Sequence, residues 1–254
     1  MNQAKVLNFF GLLLIMFGIS FAIPLFVAIF YGESLIRVFG LGMSILVLMG
    51  FLSWFFTKDN KQELSLSDGF VITVLFWIVL SVSGSIPFIL FGFGVVDSFF
   101  ESMSGITTTG ATVIAGLDDL PKSLLIYRQL LQWLGGMGLI VLAIAVMPLL
   151  GIGGGQLFKT QTPGPMSEQR LTPRITSTAR ALWSIYFVLT VLCIFAYRLA
   201  GMNYFDAVSH AFSTVSIGGF STHDLSIGFF DSLSIEIVCI TFMLLSAMSF
   251  AVHY

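Results

Sequence analysis

Charge is what this sequence has least of. Acidic and basic side chains make up 9% of its 254 residues, against about 25% in an ordinary soluble domain. That excludes a water-solvated globule: most of this surface must meet lipid. No basic run of the kind that tracks a phosphate backbone is present, so no nucleic-acid partner is expected. Cysteine is confined to Cys193 and Cys239, both inside apolar stretches. This argues against a disulfide framework, a metal pair or a redox motif, and for two small packing residues. The glycine-rich run Gly151-Ile152-Gly153-Gly154-Gly155 lacks a following Lys-Ser/Thr and a preceding strand. It is not a phosphate loop.

What is present is apolar length. A helix needs about 20 apolar residues to span a bilayer, and six stretches qualify: 6–31, 35–56, 70–93, 123–150, 178–200 and 230–254. The run from Val6 to Tyr31 is too long for the core of a cleavable signal and reads as a retained anchor. The expected fold class is an all-α integral membrane protein. With the N-terminus inside, Lys5, Lys58, Lys61, Lys159, Arg170, Arg174 and Arg180 fall on the cytoplasmic side. Arg37, Lys122, Arg128 and Arg198 fall outside or at outer helix ends, so the basic bias favours this topology. The acids Glu33, Asp97, Glu101, Asp118, Asp119, Asp206, Asp224, Asp231 and Glu236 lie toward the outside. They would form a cation-concentrating vestibule or be ordinary solvated loop acids.

Two polar segments interrupt the apolar pattern in the same way. They are Thr107-Thr108-Thr109-Gly110-Ala111 and Ser216-Ile217-Gly218-Gly219-Phe220, with Gly110 and Gly219 109 positions apart. They belong to an internal repeat. The segment from Val96 (VDSFFESMSGITTTGATV) aligns without a gap on that from Phe205 (FDAVSHAFSTVSIGGFST), pairing Asp97 with Asp206 and Thr107 with Ser216. Repeats in membrane proteins commonly surround a shared pathway. The repeat unit is helix, half-helix with loop, helix. The units are 70–150 and 178–254, joined by a cytoplasmic loop at 151–177. Residues 1–56 stand outside as an extra helical pair, followed by a cytoplasmic linker at 57–69.

The half-helices are too short to span. Ser98 and Glu101 suggest an S-x-x-E capping box, so the first helix is expected to start there and end near Gly105. Its C-terminal pole favours a cation. The returning chain would expose backbone carbonyls at membrane depth, which is costly unless they find a partner. A dehydrated monovalent cation is such a partner. Thr107, Thr108, Thr109 and Gly110, with Ser216, Ile217, Gly218 and Gly219, are the candidate ion-coordinating residues, mainly through their carbonyls. The alternative for one such loop alone is a Gly/Thr kink packed in a bundle.

Arg128 would snorkel or pair with Glu101 or Asp118, and Pro24 and Pro87 would kink their helices. Gly135, Gly136 and Gly138 would allow close helix contact. His210 and His223 flank the second loop as filter supports, helix caps or pH sensors.

The loops, the gapless repeat and the run YRQLLQWLGGMGLIVLAIAVMPLLGIGGGQLFK resemble the Trk/Ktr/HKT superfamily of potassium transporters, and within it the TrkH branch. The resemblance implies four helix–pore-loop–helix units around one pore, each with one filter strand and a key glycine. By it, Thr108, Thr109, Ile217 and Gly218 would lend carbonyls to K+, and Gly110 and Gly219 would be the filter glycines. It also implies K+ as the transported ion, no organic cofactor and a homodimer. A cytoplasmic nucleotide-binding TrkA-type regulatory subunit would sit near 151–180, and the location would be the bacterial inner membrane. Two of the four units are expected here, the second ending inside its last helix, so the chain reads as an N-terminal part. A non-transporting membrane scaffold is the alternative. An intramembrane hydrolase built on Ser104 with His210 or His253 is another, although Ser102 stands where such enzymes place Gly.

Overall fold

The computed structural model describes residues 3–58, 66–146 and 171–248, which are helical with no strand. α1 (Gln3–Ser20) and α2 (Ala22–Tyr31) form one apolar rod of 29 residues. The run expected as a single helix is thus two, end to end. Pro24 has no N–H to offer the Ser20 carbonyl, and the chain tightens at Phe21, whose N–H donates to Gly18 O at 3.1 Å.

α3 (Ile36–Thr57) packs along α1. A Cβ on Gly11 would lie 2.8 Å from Trp54 N, and one on Gly50 2.9 Å from Ile15 N. Close approach at small residues is how helices associate where lipid supplies no hydrophobic drive. Ser53 Oγ donates to Leu7 O at 2.9 Å across the same contact.

The first unit follows as α4 (Leu66–Phe91), α5 (Val95–Ile106), a short 3-10 turn (Leu117–Asp119) and α6 (Lys122–Val146). α4 starts before residue 70 and runs unbroken through Pro87, so the linker expected at 57–69 shrinks to the residues between Thr57 and Leu66. The second unit is α7 (Leu171–Leu199), α8 (Tyr204–Val215), a 3-10 turn (Ser226–Phe230) and α9 (Leu233–Ala247). α7 begins earlier than the expected residue 178. The glycine run 151–155 and the ends expected at 150 and 254 lie outside the described residues.

Four helical segments among the described residues are long and apolar enough to cross a membrane: Gln3–Tyr31, Ile36–Thr57, Asp68–Phe91 and Ala181–Leu199. α6 is the axis of the molecule, packing against α2, α4, α5, α7 and α8. Its first half buries Ser123, Arg128, Gln129 and Gln132, so it faces protein rather than lipid. Glu33, between α2 and α3, caps it. Its carboxylate accepts from Lys122 N at 2.7 Å and Ser123 N at 3.1 Å, and from the Ser123 hydroxyl. A carboxylate at a helix N-terminus satisfies free donors and opposes the dipole.

Tyr127 ties the extra pair to this axis. Its ring meets Phe21, Phe39 and Phe88 at centroid distances of 5.2, 5.4 and 5.3 Å, and its hydroxyl donates to Gly84 O at 2.7 Å. Cys193 is buried in the core of the second unit with Cys239 packed against that core, and both are free thiols.

Candidate functional site

The two interrupted segments fold alike. α5 and α8 each span 12 residues and end one residue before the polar loop. The expected capping box is not formed. α5 starts at Val95 behind Gly94, the Ser98 hydroxyl has no hydrogen-bond partner, and Glu101 is turned to Arg128. The cap is on α8 instead. The Asn203 side chain accepts from Asp206 N at 2.9 Å and donates to Asp206 Oδ2 at 2.6 Å.

Past each helix the backbone closes in the same register. Thr108 N donates to Gly105 O and Thr109 N to Ser104 O; Ile217 N donates to Thr214 O and Gly218 N to Ser213 O. Thr108 and Ile217 both sit at φ 54°, and Gly110 and Gly219 at 78° and 84°. A β-branched residue at positive φ is a strained outlier. Its recurrence at matched positions shows the tertiary structure imposing one shape twice. Thr107 and Ser216 turn their hydroxyls back onto Met103 O and Phe212 O at 2.7 and 2.8 Å. Among the described residues, the carbonyls of Thr108, Thr109, Gly110, Ile217 and Gly219 accept no hydrogen bond. α5 and α8 end, at their negative dipole poles, just before these residues in the chain.

Gly218 differs. Its carbonyl accepts from Gln132 Nε2 at 2.7 Å, and Gln132 Oε1 accepts from Phe220 N at 3.0 Å. One turn earlier on α6, Arg128 donates from Nε to Glu101 Oε1 at 2.8 Å and from Nη1 to Ser221 O at 3.0 Å. Its Nη2 reaches Thr112 Oγ1 at 3.0 Å, and the guanidinium lies 4.4 Å from the Phe220 ring centroid. Arg128 and Glu101 are fully buried, so Arg128 pairs with Glu101 and not with Asp118. Gly135 and Gly136 let α6 close on both loops. A Cβ on Gly135 would run into Ile106 O, and one on Gly136 would lie 3.2 Å from Ser216 Cβ.

Above the loops the acids are engaged rather than free. Asp224 accepts from Gly116 N and Leu117 N at 3.1 Å. Asp118 bonds His223 Nδ1, and His223 Nε2 lies 3.3 Å from Asp206 Oδ2. Asp206 Oδ1 accepts from Thr222 Oγ1 at 2.7 Å. Of the nine acids expected toward the outside, Glu33, Glu101, Asp118, Asp206 and Asp224 thus also make structural bonds. The two histidines are supports. His210 Nδ1 donates to Asp206 O at 2.9 Å, which leaves Nε2 to accept from Ser221 Oγ at 2.9 Å. The Ser104 hydroxyl is buried without a hydrogen-bond partner and both His210 nitrogens are taken; His253 lies outside the described residues. Among the described residues no base is aimed at Ser104.

The family model described as "TrkH: Cation transport protein" matches residues 35–254. The chain belongs to the TrkH family. It is 50% identical over its whole length to the Trk system potassium uptake protein TrkH of Halomonas elongata and 46% identical to that of Escherichia coli, covering 53% of each. It superposes over its full length on the crystal structure of the potassium transporter TrkH from Vibrio parahaemolyticus. There the TM-score is 0.87 and the identity 48%, and 51% of that chain is covered. The chain spans about half the length of these curated relatives. It is a multi-pass membrane protein of the bacterial inner membrane.

In this TrkH-family chain the two loops hold each other through Asp118, His223 and Asp224. Hydrogen bonding to His223 holds the Asp118 carboxyl below the ordinary carboxylate value. Such a depressed acid stabilises the fold above its unfolded pKa, and the contribution fades as pH falls through the lowered value. His223→Phe keeps the stacking on Phe229, now at a 3.5 Å centroid distance, but loses the carboxylate bonds. It should lower the melting temperature of detergent-purified protein at pH 6. The difference should shrink as pH falls below the ordinary carboxylate range and Asp118 takes up its proton. Equal melting temperatures at pH 6 would exclude the clasp.

Proposed function

We propose that this chain supplies two filter-bearing units of a potassium-uptake pore, with dehydrated K+ as the transported ion. The observation that carries this reading is the set of partnerless carbonyls at Thr108, Thr109, Gly110, Ile217 and Gly219, poised at the C-terminal poles of two half-helices. Carbonyl dipoles in such an array replace a cation's hydration shell. The Thr and Ser side chains hold the backbone rather than the ion, as Thr107 and Ser216 do. The protein's action is transport, not catalysis. Two further units of the same kind would complete the ring, residues 1–56 forming a separate supporting pair. A homodimer in the membrane and a TrkA-type nucleotide-binding subunit at the cytoplasmic 151–180 region complete the proposal.

Expressed with its TrkA-type subunit in a strain deleted for potassium-uptake systems, the intact protein should restore growth at limiting potassium. Gly219→Ser places an L-residue at φ 84°, a strain of ~1–2 kcal/mol. It should lower the K+/Na+ uptake ratio roughly fivefold or more. Failure to restore growth with protein present in the membrane overturns the transport reading. An unchanged ratio overturns the filter assignment and favours a scaffold.

A further inference from the structure

Gly218 and Thr109 occupy the same place in the repeat, 109 positions apart, yet one is glycine. Backbone conformation does not demand it, since Gly218 is not among the residues at positive φ. Space does. A Cβ on Gly218 would run into the Gln132 amide carbon and lie 2.8 Å from Nε2. Gln132 is fully buried and grips this strand from both ends of its amide, donating to Gly218 O and accepting from Phe220 N. A planar amide bonded at two backbone atoms fixes both the position and the tilt of the peptide between them.

The matching place in the first loop has no such amide clamp among the described residues. The Thr109 carbonyl has no partner among the described residues, and the Thr109 hydroxyl engages Thr107. α6 and α9 start at Lys122 and Leu233, out of step with the repeat's spacing, so the repeat assigns Gln132 no counterpart on α9. The Gly218 oxygen also sits where a Cβ on Gly110 would be. One side chain on α6 therefore sets the carbonyl at which the two filter strands meet.

We infer that Gln132 is the positioning residue for ion selectivity in this filter: it draws the Gly218 carbonyl toward α6, so that level of the filter takes its free oxygen from Thr109 and not from Gly218. This rests on the filter reading above. The ligand class is a dehydrated monovalent cation, whose discrimination depends on the number and placement of carbonyl dipoles. With the clamp removed, the Gly218 peptide can turn, and a site of variable shape accepts the smaller ion more readily.

The test is the ratio of initial K+ to Na+ uptake rates in the intact protein with its TrkA-type subunit, for Gln132→Leu and Gln132→Glu, with Gly219→Ser as reference. Gln132→Leu removes both bonds; Gln132→Glu keeps the acceptor for Phe220 N and loses the donor to Gly218 O. Gln132→Glu should lower the ratio about fivefold, the net effect of one buried hydrogen bond, and Gln132→Leu at least as much. A merely structural role would slow both ions equally and leave the ratio unchanged, which overturns the inference, as does a raised ratio. If Gly219→Ser also leaves the ratio unchanged, the filter reading itself fails. If Gln132→Leu does not reach the membrane, Gln132→Glu decides by the same criterion.

Discussion

Arg128→Leu is expected to remove most of the folded protein from the membrane. The change leaves Glu101 fully buried, still accepting from Thr112 Oγ1 at 2.9 Å and Val113 N at 3.2 Å, but without its countercharge. Stripping one partner from a buried ion pair costs ~3–5 kcal/mol. Whole domains are stable by only ~5–15 kcal/mol. The loss also frees Ser221 O and undoes the contact with Phe220, so both loops loosen together. Pairing the change with Glu101→Gln removes the stranded charge and leaves an amide that can still accept from Thr112. The double variant should recover much of the yield, because replacing both charges of a buried pair is far milder than removing one. The measurement is the monodisperse fraction on size exclusion in detergent, together with the melting temperature. A single variant as stable as its parent, or a double variant no better than the single, would contradict a buried pair at this site.

Gly110→Ala is expected to lower K+/Na+ discrimination about tenfold or more, and more than Gly219→Ala does in the same assay. Two penalties act at once at Gly110. An L-residue at φ 78° is strained by ~1–2 kcal/mol. The new Cβ would also run into Gly218 O and lie 3.2 Å from its carbonyl carbon. Relief requires the two loops to part. Since ~1.4 kcal/mol is tenfold in an equilibrium, the backbone strain alone approaches the expected loss. Gly219 carries the conformational penalty at φ 84° without a described neighbour within 4 Å of its Cβ position. The ratio of initial uptake rates is the readout, normalised to protein in the membrane. An unchanged ratio in Gly110→Ala would mean that the strands do not touch where ions are sorted.

Four of the six apolar stretches, the two half-helices and their matched register were legible in the sequence because each is a local property. Apolar length and a gapless repeat need no knowledge of partners. The break before Pro24 was legible for the same reason. Partners were harder. Arg128 had two candidate carboxylates, and packing chose Glu101. The partners of several other acids were not legible because they are remote in sequence. Glu33 caps a helix that starts 89 residues later, and Asp224 binds the chain at Gly116. The Ser98–Glu101 capping box failed because Glu101 has a stronger partner in Arg128 and Gly94 already opens the helix. Gln132 left one trace in the sequence, the glycine at 218 where the repeat has Thr109. That departure gains meaning only once α6 is seen beside it.

The meeting of Gly110 with the Gly218 carbonyl has a directional sense. The first strand offers its glycine face and the second its carbonyl edge, so the contact is heterologous. An interface of that kind does not terminate by pairing with itself: the rotation that generates it either closes into a ring or winds on as a spiral. The second strand repeats the same glycine face at exposed Gly219. That face has the shape to receive a carbonyl edge like that of Gly218, never a second copy of itself. The direction in which such loops follow one another is thus set by which side of each glycine is left bare.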